Sequence, residues 1–170
     1  MESNKLSILD SKGIAEKTTR IAYQILEDNF EEKTLVFAGI ADRGFIFAQR
    51  LKEEFELISS AKVDLIKLTI DKDSTSLRGS SDVDVEIARN KVLVIIDDVL
   101  NSGRTLAYGL GLFLNVPLKK MRVVVLIDRN HRKFPIVSDF AGLELSTVLK
   151  EHVSVNFNND NKEEDAAYLL

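Results

Sequence analysis

From Asp10 to about Phe30, the positions Ile14, Thr18, Ile21, Ala22, Ile25 and Leu26 recur at helical spacing. The spacing predicts an amphipathic opening helix with Asp10 or Ser11 as its N-cap. TLVFAGI (34–40) is apolar without alternation, the pattern of a strand buried on both faces, and FIFAQRLKEEFEL after ADRG (41–44) returns to helical spacing. AKVDLIKLTI (61–70) reads as a second strand. DKDSTSLRGSSD then shows no apolar period, so a flexible polar loop is expected over about 71–80; loops that long in compact domains are usually functional or disordered. After it come the strand VLVIID, a helix from about Gly103 to Leu114 and the strand RVVVLID (122–128). FAGLEL (140–145) and HVSVNF (152–157) are shorter strand candidates, expected in a separate flap within a hood spanning about 129–157. Continuous apolar strands alternating with helices predict an α/β fold: one domain over residues 1–170, with a mostly parallel central sheet flanked by helices.

The richest stretch for chemistry is VLVIIDDVLNSGRT (92–105). A buried strand that ends in Asp97-Asp98 holds two like charges together, which is unfavourable unless a positive or hydrogen-bonding partner meets them. The segment Leu100-Asn101-Ser102-Gly103-Arg104-Thr105 can turn tightly into a helix whose N–H groups and hydroxyls form an anion site. Carboxylates accept from sugar hydroxyls and the loop takes a phosphate. A ribose 5-phosphate satisfies both halves.

Composition narrows the chemistry. With no cysteine among its 170 residues, the sequence excludes a thiolate nucleophile, a disulfide scaffold and a cysteine-ligated metal site. The formal charge of −4 gives no global attraction to nucleic acid or anionic membrane, and no apolar run reaches the ~20 residues needed to span a bilayer. The opening MESNKLSILD lacks a secretory pattern, so a soluble, cytoplasmic protein is expected. The only histidines, His131 and His152, have no metal-ligand spacing, and His152 reads as structural. Gly109 and Gly111, inside a helical run, predict close packing on the sheet.

VLVIIDDVLNSGRT resembles the signature of type I phosphoribosyltransferases. Three further segments resemble one branch, the pyrimidine operon attenuator/uracil phosphoribosyltransferases: ILDSKGIAEKTTRIAYQILEDN (8–29), AGIADRGFIFAQRL (38–51) and VVLIDRNHRKFPIVSDFAG (124–142). The resemblance implies 5-phosphoribosyl 1-diphosphate as substrate, Mg²⁺ as cofactor and a nucleobase that displaces pyrophosphate. It implies that Asp97 and Asp98 hold the ribose hydroxyls, directly or through the metal's water, and that Asn101, Ser102, Gly103, Arg104 and Thr105, preceded by Leu100, cradle the 5-phosphate. Ala41, Asp42, Arg43 and Gly44 would meet the pyrophosphate, and the loop over 71–80 would close on the reacting centre with Lys72 or Arg78. That loop departs from the family, which carries a Tyr-Arg pair where this chain has Asp71-Lys72; lysine keeps the charge without the planar fork.

Asp128, where 6-oxopurine enzymes carry a lysine, and Asn101, where they carry an aspartate, argue against hypoxanthine or guanine and fit uracil, with a transferase for another base as an alternative. The base would be read around Asp128, Arg129 and Ile136, largely by backbone groups. The resemblance also implies a homo-oligomer. Members of that family bind attenuator RNA in response to nucleotides, so RNA is an alternative partner, for which the chain offers Lys119, Lys120, Arg122, Arg129, Arg132 and Lys133.

Overall fold

The computed structural model describes residues 5–71, 78–146, 151–158 and 164–170. After a short strand β1 (Leu6–Leu9), the helix α1 (Ser11–Asp28) starts at Asp10, whose carboxylate accepts the Gly13 N–H at 2.7 Å and so satisfies one orphan donor of the first turn. Its buried stripe of Ile14, Thr18, Ile21, Ala22 and Ile25 is the apolar face predicted from spacing. β2 (Thr34–Ile40), α2 (Arg43–Ile58) and β3 (Lys62–Asp71) follow, then β4 (Arg78–Ser81) and a single 3₁₀ turn over Val85–Ala88. β5 (Val92–Leu100), α3 (Arg104–Gly111), β6 (Lys120–Asp128), β7 (Phe140–Glu144), β8 (Val153–Asn156) and β9 (Ala166–Leu169) complete the chain.

The central sheet has six strands in the order β4-β3-β2-β5-β6-β7, parallel except for β4. Two cores explain why its inner strands lack polar alternation. Leu35 and Phe37 of β2 and Val92, Val94 and Ile96 of β5 face α1 and α2, whereas Val36, Ala38, Leu93 and Ile95 face Leu106 of α3 and Phe113. Successive apolar residues of such a strand meet one core or the other. The parallel ladder then brings the C-terminal ends of β2, β5 and β6 to one edge.

Three expectations are corrected. The polar stretch at 71–80 is not loop throughout: β3 runs to Asp71, which pairs with Arg78, and Leu68 pairs with Ser81. An edge strand such as RGSS is held by backbone hydrogen bonds, so it carries no apolar signal. Lys72, called as a site residue, lies outside the described residues. The segment FAGLEL does not form a flap; as β7 it closes the central sheet beside β6, with Val124 opposite Phe140. Gly109 packs closely, since a Cβ there would stand 3.3 Å from Ile40 Cδ1, but Gly111 has nothing within 4 Å.

HVSVNF does leave the main sheet. As β8 it pairs with β9, and β9 with β1, in an antiparallel sheet of three strands that joins the two ends of the chain. Phe157 stacks on Phe47 of α2 with ring centroids 6.3 Å apart, and the Arg50 guanidinium lies 4.8 Å from the Phe157 ring. Arg50 also pairs with Asp165. Burial pushes the Asp165 carboxyl upward, but hydrogen bonds from Arg50 and from the Asn158 N–H outweigh it and hold the group below the usual carboxylate range. α2 is thereby latched to the small sheet.

Candidate functional site

At the C-terminal edge of the central sheet lies a cavity of about 450 Å³, built by three segments. The first is the end of β5. Asp97 is 8% exposed and its Oδ1 accepts the Asp98 N–H at 2.9 Å, while the Asp98 side chain stands half-buried beside it. Both carboxylates line the cavity, as do Val99 and Leu100.

The second segment, Asn101 to Thr105, turns β5 into α3. Gly103 adopts φ +83° and ψ −2°, a left-handed conformation that a side chain disfavours, and the turn passes so close to Ile136 that a Cβ on Gly103 would stand 3.2 Å from the Ile136 Cβ. The Ser102 carbonyl accepts N–H bonds from Lys133 and Phe134 at 2.9 and 3.0 Å, which fixes the turn against the segment after β6. The third segment is Ala41, Asp42 and Arg43 between β2 and α2, with a cis peptide between Ala41 and Asp42. Gly44 is not on the cavity wall but lets that segment approach: a Cβ there would stand 2.6 Å from Asp97 Oδ1 and 2.9 Å from Asp97 Cα.

Arg129 closes one side. It is 3% exposed, donates to Asn101 Oδ1 at 3.0 Å and to the backbone carbonyl of Glu151, and its own N–H bonds to the Leu100 carbonyl. One guanidinium thus joins the turn after β5 to the small antiparallel sheet. Val153 of that sheet and His152 just before it also line the cavity. His152 was expected to be structural. Its backbone is, exchanging two hydrogen bonds with Leu170, but its position on the wall was not legible because HVSVNF carries no motif.

Three predicted residues do not reach the wall with their side chains. Asp128 is 1% exposed and its carboxylate accepts from Arg132, Ser138 and the Asn130 N–H. Ile136 packs behind Gly103. Arg78 sits on β4, away from the wall.

Among the described residues no group of three His, Asp or Glu is placed to cage a metal ion. The Asp97-Asp98 pair does fit Mg²⁺, which keeps several waters and is commonly held by one or two carboxylates together with substrate phosphates. The chain, read over its length, carries further information. A family model described as "Phosphoribosyl transferase domain" matches residues 5–158. The chain belongs to the phosphoribosyltransferase family. Among curated proteins it is 39% identical to the "Bifunctional protein PyrR" of Macrococcus caseolyticus, over 89% of this chain and 91% of that one. To the "Bifunctional protein PyrR" of Fusobacterium nucleatum it is 37% identical, over 96% and 98%. A solved hypoxanthine-guanine phosphoribosyltransferase of Bacillus anthracis shares the fold with a TM-score of 0.74 at 18% identity, over 97% of this chain and 99% of that one. A Staphylococcus aureus hypoxanthine phosphoribosyltransferase does so with a TM-score of 0.71 at 22% identity, over 86% and 80%. The fold is therefore that of type I phosphoribosyltransferases, with the acidic pair and the turn after it at the edge where open parallel sheets bind ligands.

Proposed function

We propose that this phosphoribosyltransferase moves the 5-phosphoribosyl group of 5-phosphoribosyl 1-diphosphate to a nucleobase, and that the base is uracil, giving UMP and pyrophosphate. The observation that carries the reading is one cavity bordered by Asp97-Asp98, the Asn101–Thr105 turn and the Ala41–Arg43 segment. In the reaction a ring nitrogen of the base loses its proton to solvent and bonds to ribose C1 as the C1–O bond to the diphosphate breaks, the diphosphate leaving with the bonding electrons. Positive charge builds on the ribose in between. Asp97 and Asp98 hold the ribose hydroxyls beside that charge, and the carboxylates favour it electrostatically. Asn101, Ser102, Gly103, Arg104 and Thr105 bind the 5-phosphate with N–H groups, hydroxyls and a cation.

Backbone N–H groups of the Ala41–Arg43 segment and the Arg43 guanidinium receive the departing diphosphate, whose charge Mg²⁺, when bound, would partly neutralise. Arg129, His152 and Val153 wall the side where the base enters. The uracil assignment rests on the PyrR relatives and on Asp128 and Asn101, which stand where 6-oxopurine enzymes of similar fold carry a lysine and an aspartate. The same reading expects a homo-oligomer and a cytoplasmic setting; no helix among the described residues is long and apolar enough to cross a membrane.

A pyrophosphate-release assay with 5-phosphoribosyl 1-diphosphate, Mg²⁺ and a panel of uracil, hypoxanthine, guanine, adenine and orotate tests the proposal. Turnover with uracil alone, reduced about a hundredfold or more in Asp98→Asn, is the expected result. Turnover with a purine instead would move the base assignment, and none with any base would refute the reaction.

A second reading is an RNA-binding regulator, which the resemblance to the attenuator branch implies. Its basic residues are largely committed: Lys119 pairs with Glu32, Lys120 and Arg122 pair with Asp28, and Arg132 pairs with Asp128. Gel-shift titration with a pyrimidine-operon leader RNA across salt concentrations would revive it if a steep salt-dependent shift appeared.

A further inference from the structure

Asp42 is an awkward residue for the place it occupies. It lines the cavity in the segment assigned above to the diphosphate, and its side chain is 86% exposed. A carboxylate there repels the most highly charged part of the substrate. Nor is it spent on capping α2: Asp42 stands at the N-cap position, yet its side chain makes no capping hydrogen bond. The partner that meets it is Lys67, whose Nζ lies 3.6 Å from Asp42 Oδ1.

Lys67 is held where it can do this. In the β2–β3 ladder it pairs with Gly39, two residues before the cavity segment, and the neighbouring Ala41 N–H bonds to the Leu68 carbonyl at 2.8 Å. Asp82 clamps its backbone from the other side, accepting the Lys67 N–H at 2.8 Å and donating its own N–H to the Lys67 carbonyl at 3.0 Å. Its side chain points to the face shared with α2, with Nζ 5.6 Å from the Phe45 ring, and is 39% exposed. A cation beside the N-terminal end of a helix is electrostatically unfavourable by itself, so an anion must repay it. Asp42 does so in the free protein.

We propose that Lys67 is a positioning residue of the diphosphate subsite: it neutralises the Asp42 carboxylate and holds the Ala41–Arg43 segment open to a polyanion. This rests on the phosphoribosyl transfer proposed above and names a residue outside the motifs that suggested it. Asp42 is largely exposed and Lys67 partly so, so the expected effect is moderate.

Lys67→Met raises KM for 5-phosphoribosyl 1-diphosphate about 3- to 10-fold while changing kcat by less than about twofold, and the loss shrinks at high salt. Adding Asp42→Asn to Lys67→Met returns KM to within about twofold of the wild type, because the charge that needed neutralising is gone. Lys67→Arg keeps the wild-type KM. Steady-state kinetics on the four proteins, with thermal melts to verify folding, decide the matter. If the loss in Lys67→Met persists in the double variant, Lys67 acts on the diphosphate itself and the assigned role is wrong. An unchanged KM in Lys67→Met overturns it as well. A wild-type protein that turns over no base overturns the reaction and this role together, whereas active wild type with an indifferent Lys67→Met removes this role alone.

Discussion

Replacing Gly44 with alanine adds one methyl group where α2 crosses the end of β5. The new Cβ would stand 2.6 Å from Asp97 Oδ1, 2.9 Å from Asp97 Cα and 3.0 Å from the Ile96 carbonyl oxygen. Carbon contacts are comfortable at about 3.5–4.0 Å, and two of these three partners are backbone of a central strand. The start of α2 must therefore retreat by roughly 0.5–1 Å. Overpacking of this kind costs about 1–3 kcal/mol, and alanine's helix preference over glycine returns about 1 kcal/mol. A net loss of about 0–2 kcal/mol corresponds to a fall in Tm of up to about 8 °C for a chain this size.

The functional effect is larger, because the retreat separates Ala41–Arg43 from Asp97, and misplacement by about 1 Å costs up to about 100-fold. We expect kcat/KM for 5-phosphoribosyl 1-diphosphate to fall about 10- to 100-fold in Gly44→Ala. Two controls carry the same chemical change without the collision. Gly109→Ala meets the end of Ile40 at 3.3 Å and touches Leu68 at an ordinary 3.6 Å, and is expected to be near neutral; Gly111→Ala meets nothing within 4 Å and is expected to raise Tm by a few degrees. Pyrophosphate-release kinetics and thermal melts on all three decide the outcome. Wild-type kcat/KM in Gly44→Ala, or an equal loss in Gly111→Ala, would refute the idea that close approach at Gly44 shapes the site.

Three more expectations follow from the same geometry. Gly103→Ala puts a side chain at φ +83° and against Ile136, so it should lower stability by about 1–2 kcal/mol and weaken 5-phosphate binding, read by calorimetry with UMP. Arg129→Met leaves Asn101 Oδ1 and the Glu151 carbonyl without their buried donor; a drop of about 1–3 kcal/mol in urea unfolding, with KM raised for both substrates, is expected, and a rise for one substrate alone would contradict the bridging role. Asp165 and Asp28 both have carboxyls held below the ordinary range, the latter because bonds from Arg122 and Lys120 outweigh its burial. A depressed carboxyl stabilises the fold fully above its unfolded pKa of about 4 and loses that contribution as pH falls through the lower folded value. Thermal melts of Asp165→Asn should therefore approach the wild type as pH drops from about 5 to 2, and a gap that stays constant would disprove the linkage.

The motif at 92–105 and the segment at 41–44 were legible because their chemistry is local. An acidic pair at a strand end, a glycine that permits a left-handed turn and a helix start are all written in consecutive residues. His152 and Lys67 were not legible. His152 reaches the cavity only because β8 pairs with β9 and Arg129 grips the Glu151 carbonyl, and Lys67 meets Asp42 only through the register of β3 on β2.

By itself the chain's pattern determined the alternation of strands and helices, since unbroken apolar runs such as Leu35–Ile40 are stable only between two covering layers. Tertiary structure alone decided which strands lie side by side and at what register. β4 and β7 show why: the edge strand RGSS is held by backbone hydrogen bonds that any side chains permit, and FAGLE joins the sheet rather than a flap because β6 offers it an open parallel edge. Pairing of that kind depends on which backbone edge is vacant when the fold assembles, a property of the whole molecule that no local stretch of sequence encodes.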